Sequence, residues 1–61
     1  MSDEQAREWV GKTISIQSRK LHGAITGLCR DFWAGVFIIY SPIGVFGIFP
    51  HDVTFIQEEV Q

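Results

Sequence analysis

The sequence predicts a mainly β fold, in which a short N-terminal helix precedes five strands that bend strongly into one small barrel. Three observations carry that expectation. Helical spacing of apolar residues is confined to the first ten positions. After residue 12 the apolar residues alternate or run in short blocks, which is strand patterning. Gly and Pro interrupt those blocks at turn-like intervals. The chain of 61 residues is expected to form a single domain over 1–61.

Residues 3–10 read as the helix. Ser2 is a plausible N-cap with Gln5 three positions on, the pattern of a capping box. Asp3 and Glu4 suit the positive end of the helix dipole. Ala6, Trp9 and Val10 form one apolar stripe, and Gly11 supplies a stop. Residues 13–17 alternate, with Ile14 and Ile16 on one face. Ser18-Arg19-Lys20 then make a polar turn. Residues 21–30 read as a longer strand carrying Leu21, Gly23 and Ile25 on one face, with Gly27 marking a bend. Asp31 to Ala34 reads as a turn bearing Phe32 and Trp33. Residues 35–41 and 44–49 follow as a hairpin around Pro42 and Gly44. Pro50-His51-Asp52 is expected to make one tight turn, residues 53–56 the last strand, and residues 57–61 a frayed acidic tail.

The hairpin carries the main inference about assembly. Val36, Ile38 and Tyr40 point one way, and Phe37 and Ile39 the other. Val45 likewise opposes Phe46 and Ile48. Both faces are apolar, so both should be covered. One small barrel has one interior, so the other face must meet the helix, a ligand or another subunit. The expected subunit contact is the face bearing Phe37, Ile39, Phe46 and Ile48.

Size argues in the same direction. Folding a chain of 61 residues hides roughly 6,000 Å², worth about 90 kcal/mol of apolar burial. Ordering the chain costs a similar amount, about 90 kcal/mol. Domains this close to balance use a disulfide, a metal or partner surface. Cys29 is the single cysteine, so no internal disulfide forms. His22 and His51 have no nearby Cys, so neither a metal nor another cofactor is expected. Partner surface remains, and the expected partner is a second copy of the chain in a homo-oligomer. A lone cysteine, an acidic start without an apolar core and no apolar run near ~20 residues fit a cytoplasmic protein without a membrane span.

Several residues offer chemistry, each beside a plainer structural role. Arg19, Lys20 and Arg30, with Lys12, could form a basic patch or simply solubilise the surface, in a chain of net charge −2. Phe32 and Trp33 could stack on bases or seal the end of the barrel. His51 could contact a ligand or bond Asp52. Asp31 reads as a turn-fixing acceptor. Cys29 lacks an adjacent base and reads as a small buried apolar residue. No paired carboxylates suited to acid–base work are present, so an enzyme is not expected.

Two segments bear a family likeness. Lys20-Leu21-His22-Gly23-Ala24-Ile25 resembles the glycine-containing second strand of bacterial Sm-like RNA chaperones of the Hfq type. Phe49-Pro50-His51-Asp52-Val53-Thr54-Phe55-Ile56 resembles their aromatic–Lys–His motif, with Pro50 in place of the lysine. The layout of a helix, five strands and a one-turn break is also that of the Sm and SH3-like barrels. The resemblance implies a homo-oligomer, with a ring possible, and carries His51 over as a residue touching single-stranded RNA; Arg19, Lys20, Arg30 and Trp33, read above as basic and stacking residues, would complete that contact. The alternative is a protein-interaction or assembly module that binds no nucleic acid.

Overall fold

A computed structural model describes residues 1–60 of the chain. One short helix precedes a five-stranded antiparallel sheet. The elements are α1 (Asp3–Arg7), β1 (Thr13–Ser18), β2 (Ile25–Trp33), β3 (Val36–Ser41), β4 (Gly44–Ile48), a 3₁₀ turn (Pro50–Asp52) and β5 (Val53–Glu58). The strand order is β4-β3-β2-β1-β5. The end strands β4 and β5 are not neighbours in that order, so this pairing leaves the sheet open rather than closed into a barrel.

The helix begins as its sequence dictates. Ser2 Oγ accepts from the Gln5 N–H, and Gln5 Oε1 accepts from the Ser2 N–H. Together they satisfy two of the donors that a helix start leaves free. The helix is shorter than expected, ending at Arg7, and the chain continues through turns to Gly11. Gly11 has a φ of +88°, which glycine adopts without a Cβ penalty, and it is the residue that lets the chain swing into β1. Its N–H donates to the Cys29 carbonyl at 2.8 Å, tying the linker to β2. Ala6 is fully buried, Trp9 packs against the core, and the Arg7 guanidinium lies 5.4 Å from the Phe32 ring centroid.

β2 organises the sheet. Ile25 to Leu28 pair with β1, and Leu28 to Trp33 pair with β3. One strand thereby serves two sheet halves, and the inner faces of both halves contribute to a single core. That core holds Ile14, Ile16, Cys29, Phe32, Phe37, Ile39 and Ile48, with Ala6 from the helix. Gly27 sits between the halves as expected. The register slip lies further on, between Cys29 and Asp31, leaving Arg30 as the extra residue of a bulge.

Further boundaries differ from the sequence reading. β2 starts at Ile25 rather than residue 21, because residues 19–23 are taken up by turn and bend. Phe32 and Trp33 belong to the end of β2, and the tight turn is Ala34-Gly35, both at positive φ. Gln57 and Glu58 are strand rather than tail, because Ser15 and Ile14 of β1 provide their partners. Gln61 lies outside the described residues.

The two apolar faces of the hairpin are separated as the alternation implied, but their roles are exchanged. Phe37 and Ile39 are fully buried, Ile48 is buried, and Phe46 is half-buried on the same side. Phe37 and Ile39 have no exposed surface and Ile48 almost none, so the expectation of a subunit contact at Phe37, Ile39, Phe46 and Ile48 is corrected at those three, while Phe46 keeps part of its surface. The opposite face carries the uncovered surface: Leu28, Tyr40 and Val45 are cross-strand neighbours on β2, β3 and β4, and all three are exposed. Among the described residues, no helix is long and apolar enough to cross a membrane.

Candidate nucleic-acid interface

The 3₁₀ turn builds the candidate site. Pro50 opens it with a preset φ, and the Asp52 N–H donates to the Phe49 carbonyl at 3.0 Å. This brings Phe49, His51 and Asp52 together. The rings of Phe49 and His51 are stacked, with centroids 5.3 Å apart and planes at 24°.

The β1–β2 turn supplies the other wall. Ser18 is buried and its Oγ accepts from the Lys20 N–H at 3.2 Å, which fixes the turn. The Arg19 N–H donates to the Asp52 carbonyl at 2.9 Å, locking this turn to the 3₁₀ turn. Lys20 Nζ lies 3.6 Å from Asp52 Oδ2 and 5.9 Å from the Phe49 ring centroid. His51 Nε2 lies 3.7 Å from the same Oδ2. Between the two turns is a cleft of about 190 Å³ lined by Ser18, Lys20, Leu21, Phe46, Gly47, Ile48, Phe49 and Asp52.

The electrostatics are lopsided. Lys20 and His51 are largely exposed, whereas Asp52 is 8% exposed. A carboxylate with so little exposed surface is stabilised by a cation beside it, and Lys20 is that cation. The lining of the cleft therefore combines an exposed cation and an aromatic ring with a buried anion and apolar side chains.

The sequence-expected residues divide into two groups. Lys20 and His51 meet at Asp52, and Arg19 sits in the same turn with its side chain exposed. Arg30 and Trp33 lie on β2 outside the lining of this cleft. Arg30 is exposed at the bulge, and Trp33 is 71% exposed. Lys12 pairs with Glu58 at 3.7 Å and lies 5.6 Å from the Trp9 ring centroid, so it belongs to the packing of the linker. Sequence reasoning did not single out Phe49 or Asp52 as site residues. Asp52 is the one carboxylate between Asp31 and Glu58, set within the Pro-initiated turn, and that isolation was the available signal.

The remaining candidates have structural roles. Asp31 Oδ1 accepts from the Phe32 N–H at 2.8 Å, steadying the bulge. Cys29 is fully buried; burial pushes its thiol pKa above the ordinary value, with the Asp31 carboxylate adding to the rise. That disfavours the thiolate a nucleophile needs. Among the described residues, no group of three or more His, Cys, Asp or Glu could hold a metal ion. No family model, curated protein or solved structure matches this chain.

Proposed function

We propose that this chain is a small Sm-like module that self-associates through its sheet and binds single-stranded RNA at the cleft between the β1–β2 turn and the 3₁₀ turn. The observation that carries the RNA reading is the meeting of Lys20 and Phe49 in the lining of one cleft, with the His51 ring stacked on Phe49 beside it. Single-strand binding needs a cation for the phosphate and an aromatic face for the base, each stacked base being worth about 1–3 kcal/mol. Lys20 and Arg19 supply the first need, and Phe49 with His51 the second. Arg30 and Trp33 would extend the path of the strand along β2. The module binds rather than catalyses.

Self-association has separate support. The strand order ends in β4 and β5, each with one row of N–H and C=O groups not engaged by a sheet neighbour. Such edges pair readily with another chain. Joining β4 of one copy to β5 of the next would complete the hydrogen bonding of a bent, open barrel and repeat from copy to copy, which is how a ring is made.

Light scattering on the purified chain tests assembly, and a species at the 6.9 kDa chain mass at every concentration would remove it. Titration of labelled oligo-U and oligo-A across a salt series tests RNA binding. Phosphate contacts give a falling affinity with a log–log slope of about −0.7 per contact. No binding in the micromolar range would remove the RNA reading.

A second reading has its own observation. The exposed row of Leu28, Tyr40 and Val45 is apolar, and the chain is acidic overall, which suits a protein partner and repels phosphate. In that case the chain is an assembly module without nucleic acid, and the salt series separates the two.

A further inference from the structure

We infer that the cleft selects guanine, read at its Watson–Crick edge by the Asp52 carboxylate; the inference rests on the RNA reading above. A carboxylate is unusual equipment for a surface that meets phosphate, because the two repel. Its position resolves the conflict. Asp52 is a buried residue in the lining of the cleft, and the Lys20 ammonium beside it is exposed. It is placed to meet the base end of a nucleotide, while Lys20 and Arg19 stand outside for the backbone.

The carboxylate retains accepting capacity. Its contacts with Lys20 Nζ and His51 Nε2 are 3.6 and 3.7 Å, longer than the about 2.7–2.9 Å of a charge-assisted hydrogen bond. Both run to Oδ2, and Oδ1 takes part in neither. An ionised carboxylate only accepts, so its complement is a pair of adjacent N–H donors in one plane.

Among the four RNA bases, guanine alone presents that pair, at N1–H and the exocyclic N2 amine. Uracil places a single N3–H between two carbonyl oxygens, which a carboxylate repels. Adenine and cytosine each set one amine beside an acceptor nitrogen. Single-stranded RNA is commonly read at this edge, with the base face stacked on an aromatic ring. Leu21, Phe46, Ile48 and Phe49 provide the apolar walls for that face. The cleft these residues line has a volume of about 190 Å³. A guanidinium carries the same donor pair, but its positive charge would lie against the Lys20 ammonium, so the neutral base is favoured.

The test measures binding of the full chain to labelled hexaribonucleotides by fluorescence anisotropy. The set comprises U6, A6, a U-rich hexamer with one central G, and the same hexamer with inosine in that place. Inosine keeps N1–H and lacks the N2 amine. We expect the G hexamer to bind roughly tenfold or more tightly than U6 or A6, with inosine between them. Asp52→Asn should collapse that order, bringing the G hexamer and the inosine hexamer to one affinity, and circular dichroism establishes that the variant is folded. The inosine comparison needs no variant and stands if Asp52→Asn unfolds. Equal affinity for all four oligomers overturns the guanine inference and leaves RNA binding intact. Absence of binding to any of them overturns both. Displacement of the G hexamer by micromolar N-acetylarginine amide would assign the cleft to a guanidinium instead and overturn the inference.

Discussion

Gly27 lies against the backbone carbonyl of Tyr40, so close that a Cβ at Gly27 would overlap the oxygen. The contact occurs where β2 passes from β1 to β3, and it lets the two halves of the sheet approach. The neighbour is backbone, which cannot rotate away. Gly27→Ala is therefore expected to destabilise the fold by about 1–3 kcal/mol, the usual cost of forcing extra volume into a packed site. Gly23→Ala is the control, because nothing lies within 4 Å of its added methyl. Urea melts should show a lower midpoint for the first variant and almost no change for the second.

Lys20→Ala separates binding from folding. Lys20 is an exposed partner of Asp52, and such pairs contribute about 0–1 kcal/mol to stability. The melt should hardly move. The salt slope for oligo-U should become shallower by about 0.7, the loss of one phosphate contact. An unchanged slope would place Lys20 outside the RNA path.

Cys29 gives a pH prediction. Its thiol pKa is raised by burial first and by Asp31 second, so the folded chain holds the proton more tightly than the unfolded one. The stability this contributes is complete below the unfolded thiol pKa of about 8.5 and falls as pH rises above it, where only the unfolded chain ionises. The difference in urea midpoint between the wild type and Cys29→Ala should narrow between pH 7 and pH 10. A constant difference would contradict a protected thiol. Iodoacetamide should likewise modify Cys29 only on unfolding.

Edge and core substitutions should act differently. Val45 is 66% exposed on the edge strand β4, and Phe55 is exposed on the edge strand β5. Val45→Lys and Phe55→Lys place charge on those edges, a usual block to strand addition. Both should stay folded and shift the scattering mass toward one chain. Ile48→Ser instead deletes core volume and should unfold the chain or lower its stability by about 2–5 kcal/mol.

The local signals in the sequence were legible where one residue type has one physical use. Ser2 with Gln5 gave the helix start, and Pro50 gave the 3₁₀ turn. The alternation in the hairpin separated Val36, Ile38 and Tyr40 from Phe37 and Ile39. It could not say which set faced inward, because periodicity defines sides and only the rest of the fold defines the interior. The start of β2 was misplaced because Leu21 and Gly23 continue an alternating pattern through a segment that the Ser18 and Asp52 contacts hold as a turn. The cleft depended on a long-range meeting between the β1–β2 turn and the 3₁₀ turn, so the neighbour contact of His51 with Asp52 was visible in the sequence and the arrival of Lys20 at the same carboxylate was not.

The surroundings of the two tryptophans have a practical consequence. Trp9 packs on the core beneath Lys12, while Trp33 stands largely in water. The chain thus carries two intrinsic fluorophores with unlike emission and unlike access to acrylamide. Detachment of the N-terminal segment would red-shift the blue-emitting indole, and anything that covers the end of β2 would blue-shift the red-emitting one, so unlabelled protein can report both events in one spectrum.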